Sequence, residues 1–400
     1  MLPPGFKMGG VTFVLAALSW IGPFSIDTYL PSLPHISVSL NASEAQAQQT
    51  MTAFLVFFAL MSLWHGAISD AYGRRRFTMI ALVVFSLASV GCALSGSVGT
   101  LMVFRALQGA SAGAGMIVGR AIVRDLFEGA AAQRLMSHVA TIFTIAPVLA
   151  PVIGGWLQVW FGWRSVFYFL VIVATFLFLS CHRFLPETLP RDHRQPLRSL
   201  YLARSYWKVM TLPAFLLACG SMAFMNAAFF IYIMGAPTFL MKHLKLSETE
   251  FLWLFGPVSA AMVIGAWLSG HYAGKISRKR TIVYSLIIMT VAASANVLLN
   301  WLFPPVLPWP IVPLFVYVLG MAMAMPSVTL LALDLFPMQR GLAASCQGFL
   351  SIGANSVISA FVPLVWGTTL SLAWTMAWMM AVGGAMVLQY FRLVPRAKDA

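Results

Sequence analysis

Two residues of opposite charge lie inside long apolar stretches: Asp27, in Ser25-Ile-Asp27-Thr-Tyr29-Leu-Pro31, and Arg105, near the start of Leu101–Gly119. A charge at hydrocarbon depth costs roughly 3 kcal/mol on insertion scales, so it persists when it faces a partner or a water-filled cavity. A carboxylate in that setting can take up and release a proton, and a guanidinium can hold it or another anionic group. Pro31 and Pro34 are expected to end or break the first helix near one surface. Asp27 then lies about 6–10 Å below that surface at 1.5 Å per residue. Arg105 enters its own span from the same side, so the sequence predicts two unlike charges at one level in the outer half of a helical bundle. Gly109, Ala112, Gly113 and Ala114 let neighbouring helices approach the arginine's helix closely.

The elements that must position these residues follow from composition. The chain has 400 residues, 60% of them hydrophobic and 9% charged, with a mean hydropathy of +0.85. A soluble domain does not have this balance. The apolar residues fall in twelve stretches, each close to the ~20 residues that cross a bilayer core as a helix: Val11–Tyr29, Thr50–Ile68, Phe77–Leu94, Leu101–Gly119, Val139–Trp160, Val166–Cys181, Pro213–Met234, Phe251–Gly270, Ile282–Leu299, Ile311–Leu333, Leu342–Val365 and Leu372–Tyr390. Continuous apolar runs exclude a membrane β-barrel, whose strands alternate over about 10 residues. The first run is long and is not followed cleanly by a small-residue cleavage site, so it reads as a span rather than a cleaved leader.

The net charge of +14 is a topology signal. With Met1 in the cytosol, nearly all of the 25 lysines and arginines fall in cytoplasmic connections or termini; the exceptions are Arg105, Arg164, Lys242 and Lys245. Both termini are therefore expected in the cytosol, and a nucleic-acid partner is not. The polar stretch between the sixth and seventh spans is basic and proline-rich, and its Leu197–Lys208 end should lie along the inner membrane surface. It divides the chain into a bundle over 1–182, a linker over 183–210 and a bundle over 211–400. The four cysteines lack metal-ligand spacing and read as small buried hydrophobes.

Further residues suggest moving parts. Gly66, Asp70, Gly73 and Arg74, followed by Arg75 and Arg76, form a tight connection at the inner surface, with Gly73 supplying the turn. Arg124 and Asp125 form another charged pair there. Pro147 and Pro151, four apart, should bend the fifth span, with Gly154 and Gly155 permitting close packing. The seventh span is dense in methionines and aromatics, which could line a cavity accepting varied apolar molecules. The residues expected to touch cargo are Tyr29, Met116, Asn226, Phe230 and Tyr232.

These stretches resemble the motifs of the major facilitator superfamily. Gly66–Arg75 matches its motif A, G-x-x-x-D-x-x-G-R-[KR]; Phe104-Arg105-x-x-Gln108-Gly109 is similar to motif B; Pro147–Gly155 resembles motif C, associated with antiporters. Asp27 with Tyr29-Leu-Pro resembles the first-span signature of drug:proton antiporters. More narrowly, the Arg124-Asp125 pair, Pro186-Glu187-Thr188-Leu189-Pro190 and Asp334-Leu-Phe-Pro are similar to the Bcr/CflA subgroup. The resemblance implies two pseudo-symmetric six-helix bundles that rock around a central cavity. It also implies proton coupling through Asp27 and Arg105, and an inner latch from Asp70 to the start of the eleventh span near Gly341. A second acidic residue, present in the first span of some members with broad cation export, is absent, which points away from cationic cargo.

The expected protein is thus an all-α drug:proton antiporter of a bacterial inner membrane, acting as a monomer on small hydrophobic molecules without metal or cofactor. The alternative is a proton-coupled carrier of a specific metabolite or organic anion, with Arg105 holding the anion. An intramembrane enzyme would need a catalytic cluster, and His65, His138 and His271 lie near inner ends without such companions.

Overall fold

A computed structural model describes residues 8–127, 129–190, 192, 194 and 199–394. His138 and Arg134 lie in a helix but outside the residues whose side chains are described. The chain forms two compact units, Met1–Arg198 and Ser199–Ala400. Among the described residues the regular structure is helical apart from a single bridge between Ala273 and Ile276.

In the first unit the helices are α1 (Met8–Leu18), α2 (Ile21–Asp27), α3 (Leu33–Ser39), α4 (Glu44–Tyr72), α5 (Arg74–Ala93), α6 (Val98–Ala112), α7 (Ala114–Leu126), α8 (Gly129–Phe161) and α9 (Arg164–Phe184). In the second they are α10 (Ser199–Met210), α11 (Pro213–Met234), α12 (Leu252–Tyr272), α13 (Arg278–Leu302), α14 (Val312–Asp334), α15 (Arg340–Phe361) and α16 (Thr369–Leu393). Among the described residues, eleven helical stretches are long and apolar enough to cross a membrane. The fifth expected span is the apolar part of α8, over Ile145–Phe161. Each unit therefore carries six.

The two units repeat one packing scheme. In the first, the second span packs on the fourth (α4 on α6), the third on the fourth and sixth (α5 on α6 and α9), and the first on the fifth (α2 on α8). In the second, α12 packs on α14, α13 on α14 and α16, and α11 on α15, which is the same set of partners. Helices in a bilayer gain little from hydrophobicity against one another, so such pairings rest on close approach and interhelical hydrogen bonds. Gly109 shows the first: a Cβ there would strike the backbone carbonyl of Phe54.

The first span differs from the expected single helix. α1 stops at Leu18, α2 runs only to Asp27, Leu30–Ser32 winds as a 3-10 turn, and α3 continues to Ser39. Ser19 and Ser25 donate to the carbonyls of Ala16 and Ile21, both at 2.6 Å; such back-bonding bends helices. Pro31 and Pro34 sit in first turns, where a missing N–H costs nothing, so they restart the helix instead of ending it. The helical path therefore continues past Asp27 to Ser39, in three short pieces. α8, by contrast, runs on through both Pro147 and Pro151. Each withholds one N–H from the ladder four residues back.

Candidate functional site

Arg105 has no exposed surface. Its guanidinium lies between two rings, 4.5 Å from the centroid of Tyr29 and 4.4 Å from that of Phe54. Cation–π contacts reach about 2 kcal/mol when desolvated. One terminal nitrogen donates to the Ser25 carbonyl at 3.1 Å and to Gln108 Oε1 at 2.5 Å; the other reaches Met51 Sδ at 3.2 Å. Gln108 in turn donates to Ser89 Oγ at 2.8 Å. The Ser25 carbonyl is available because the helical partner four residues on, Tyr29, lies beyond the end of α2. A cation there also suits the negative end of the helix. Tyr29 is fixed from its other end: its hydroxyl donates to Thr50 Oγ1 at 2.6 Å, whose own hydrogen goes to the Ala47 carbonyl.

Asp27 is buried, with 6% of its surface exposed, at the last position of α2. Arg105 does not pair with it: the guanidinium spends its hydrogens on Ser25, Gln108 and Met51. Arg105 grips the Ser25 carbonyl of the helix that ends at Asp27, but no ion pair joins the two side chains. Among the described residues the Asp27 carboxylate has no hydrogen-bond or ion-pair partner. This is a carboxylate left free for a proton or another ligand, beside a cation whose terminal nitrogens are held by a carbonyl, an amide and a thioether between two rings and whose Nε has no partner.

The Gly66–Arg76 connection forms a second cluster. Gly73 has φ +99°, a conformation that glycine adopts without strain. Arg74 is paired with Asp70 and donates to Ser69 Oγ at 2.6 Å and to Asp125 Oδ2 at 3.2 Å. Asp125 therefore pairs across to α5 and not with its neighbour. Arg124 turns away and reaches the Arg120 carbonyl at 3.4 Å, because adjacent residues on a helix do not face each other. Gly66 faces open space.

Glu187 and Thr188, which sequence reasoning noted without a role, complete the cluster. Glu187 Oε1 accepts from the backbone N–H of Arg74 at 2.9 Å and of Leu189 at 3.1 Å, and Thr188 donates to Asp125 at 2.8 Å. A carboxylate on the first N–H of α5 caps that helix. The signal was the polar Glu-Thr pair between two prolines. The second unit builds a counterpart at the matching place: Asp334, at the end of α14, accepts from Arg278 and Arg340, each at 2.9 Å.

The remaining expected residues fall in both units. Gly154 is a contact point, where a Cβ would strike the Thr28 carbonyl, and Gly155 is buried beside it. Pro151 is buried and Pro147 half-buried. Met116 is half-buried on α7. Asn226 donates to Asn355 Oδ1 at 3.0 Å, joining α11 to α15, and Phe230 is half-buried on α11. Tyr232 is buried: its ring meets Phe239, and its hydroxyl accepts from Asn296 at 2.7 Å. Gln347, on α15, donates to Met222 Sδ and Thr329 Oγ1 at 3.0 and 3.1 Å. All four cysteines are free and buried, and no cluster suited to a metal occurs among the described residues.

A bundle of membrane-length helices in two matching six-span units, with a buried carboxylate and a caged arginine, defines a polytopic carrier. The chain belongs to the Major Facilitator Superfamily, whose family model matches residues 13–351. It is 31% identical to the MFS-type transporter YdgK of Bacillus subtilis (strain 168) over 362 residues, covering 90% of both proteins. It is 28% identical to Multidrug resistance protein D of Escherichia coli (strain K12) over 380 residues, covering 92% of this chain and 93% of the relative. The crystal structure of a D-xylose-proton symporter superposes with a TM-score of 0.78 at 18% identity, over 98% of this chain and 99% of the other, which shows the shared fold. The protein is thus a multi-pass membrane transporter.

Proposed function

We propose that this protein exports small, neutral, apolar drug-like molecules across a bacterial inner membrane in exchange for protons, with both termini in the cytosol and the monomer as the working unit. The observation that carries this is the free carboxylate of Asp27, buried without a protein partner. Proton uptake there neutralises a charge in a dry layer, and loss of the proton restores it, so occupancy can be tied to which side the site faces. Arg105 acts on Asp27 through the Ser25 turn that it grips, at a distance set by its aromatic cage. The relative named Multidrug resistance protein D supports the cargo class, as does the absence of any Asp, Glu, Lys or Arg deep in the second unit's spans.

The energetics suffice. One charge crossing 100 mV carries about 2.3 kcal/mol and one pH unit about 1.4 kcal/mol, which together sustain roughly a few-hundred-fold gradient of a neutral drug. The carrier of an organic anion is disfavoured, because Arg105 has no exposed surface and already spends its hydrogens on protein groups.

The test is reconstitution of the parent and Asp27→Asn in proteoliposomes under an imposed pH gradient, with chloramphenicol as cargo. The parent should accumulate the drug uphill, and the variant should only equilibrate it. Uphill transport at the parent rate in the variant would remove Asp27 from the coupling.

A further inference from the structure

Span four is broken between α6 and α7 at Gly113, and the backbone ladder resumes with the Ile117 N–H on the Gly113 carbonyl. The carbonyl of Ala110 sits just before this break; the residue four further on, Ala114, already starts the next helix. A side chain from another span meets that carbonyl. His65, on α4 and 1% exposed, places Nε2 2.9 Å from the Ala110 oxygen. A carbonyl only accepts, so the ring hydrogen sits on Nε2. Nδ1 is buried without a partner.

The rest of the ring is enclosed. Its centroid is 5.7 Å from that of Phe77 on α5, and a Cβ at Gly113 would lie 3.1 Å from His65 Cε1 and strike Phe58. The break, the glycine and the imidazole therefore fit one another. On the same short helix, less than two turns from Ala110, Arg105 and Gln108 make the contacts with Ser25 and Ser89. Ser111 also back-bonds to Leu107 and Gln108, which bends the last turn of α6.

We propose that His65 is a positioning residue of the transport cycle: its Nε2–H replaces a missing helical bond at the break in span four and so fixes the end of α6 that presents Arg105. The same device holds the first span, where Arg105 meets the Ser25 carbonyl at the end of α2. Two broken helices are each tied at an exposed carbonyl by a side chain from a neighbouring span. A histidine kept only for packing would tolerate a leucine; one kept for its bond would not. The turnover part rests on the export reading above, whereas the structural part does not.

The experiment compares the parent with His65→Leu, His65→Gln and His65→Asn in detergent and in proteoliposomes. The glutamine amide reaches the place of Nε2, and the asparagine amide that of Nδ1. Hydrogen exchange measured over 111–119 should be roughly tenfold faster in His65→Leu and His65→Asn, about what one lost hydrogen bond allows, and return to the parent rate in His65→Gln. Chloramphenicol turnover should fall by a similar factor with its Kd within about twofold, and recover in His65→Gln. Parent-like exchange in His65→Leu overturns the proposal, as does exchange in His65→Gln as fast as in His65→Asn. The last comparison decides the matter even if His65→Leu does not fold. A parent that moves no chloramphenicol sinks the export reading, and the exchange data still judge the hinge.

Discussion

At the scale of single residues, the division of labour is between a satisfied cation and an unsatisfied carboxylate. Arg105 is clamped by two rings, a carbonyl, an amide and a thioether through its two terminal nitrogens, while its Nε is buried without a partner. Lysine keeps the charge but loses the stacking and the two-nitrogen reach. Arg105→Lys should therefore express normally yet slow chloramphenicol turnover by about tenfold or more, the equivalent of one or two lost charged hydrogen bonds. Flux in proteoliposomes reads this directly, and a parent-like rate would show that the cage is incidental. The presence of Asp27 and Arg105 in the spans was legible in the sequence, because charges stand out in apolar runs. Their lack of direct contact was not. It depends on where α2 stops, and that is set by Ser25, Thr28 and Pro31 acting on the local backbone.

At the scale of elements, small residues decide how closely spans approach. A Cβ at Gly109 meets the Phe54 carbonyl, which is backbone and cannot swing away. Gly109→Ala should cost about 1–3 kcal/mol, the usual range for overpacking. It should lower the midpoint of thermal unfolding in detergent by several degrees, and an unchanged midpoint would contradict the packing described. The inner cluster makes a different prediction. Asp70 and Asp125 share Arg74, and Glu187 caps the helix that Arg74 begins. Asp70→Ala and Glu187→Gln should slow turnover several-fold while leaving drug Kd within about twofold, since neither the cluster's ion pairs nor its hydrogen bonds involve Asp27. Equilibrium binding beside initial-rate flux separates the two effects. The motif pattern announced Asp70, Gly73 and Arg74. It did not announce that Asp125 chooses Arg74 over Arg124, because that choice follows from how the α7 end faces the start of α5.

At the scale of the molecule, the matching packing partners in the two units and the paired Asp125 and Asp334 clusters describe one six-span design used twice. Among the described residues, buried full charges occur only in the first copy, and the proposed proton coupling is placed there. In a bacterial host lacking its own pumps, expression should raise the inhibitory concentration of chloramphenicol at least several-fold, and the Asp27→Asn variant should abolish the increase. Equal susceptibility with and without the protein would count against export of that drug. Cysteine labelling at both ends should report two cytoplasmic termini; reagent reaching either end from outside would reverse the orientation read from the basic connections.

The sequence alone determined the class of fold and the number and order of spans, because apolar length acts locally and survives without tertiary context. It also exposed the few residues whose burial has to be compensated. The tertiary structure decided the partners: Arg105 with Ser25 and two rings, His65 with Ala110, Glu187 with the start of α5. Those choices turn on which carbonyls the helix breaks leave open, and an open carbonyl is a property of the folded backbone rather than of any residue type.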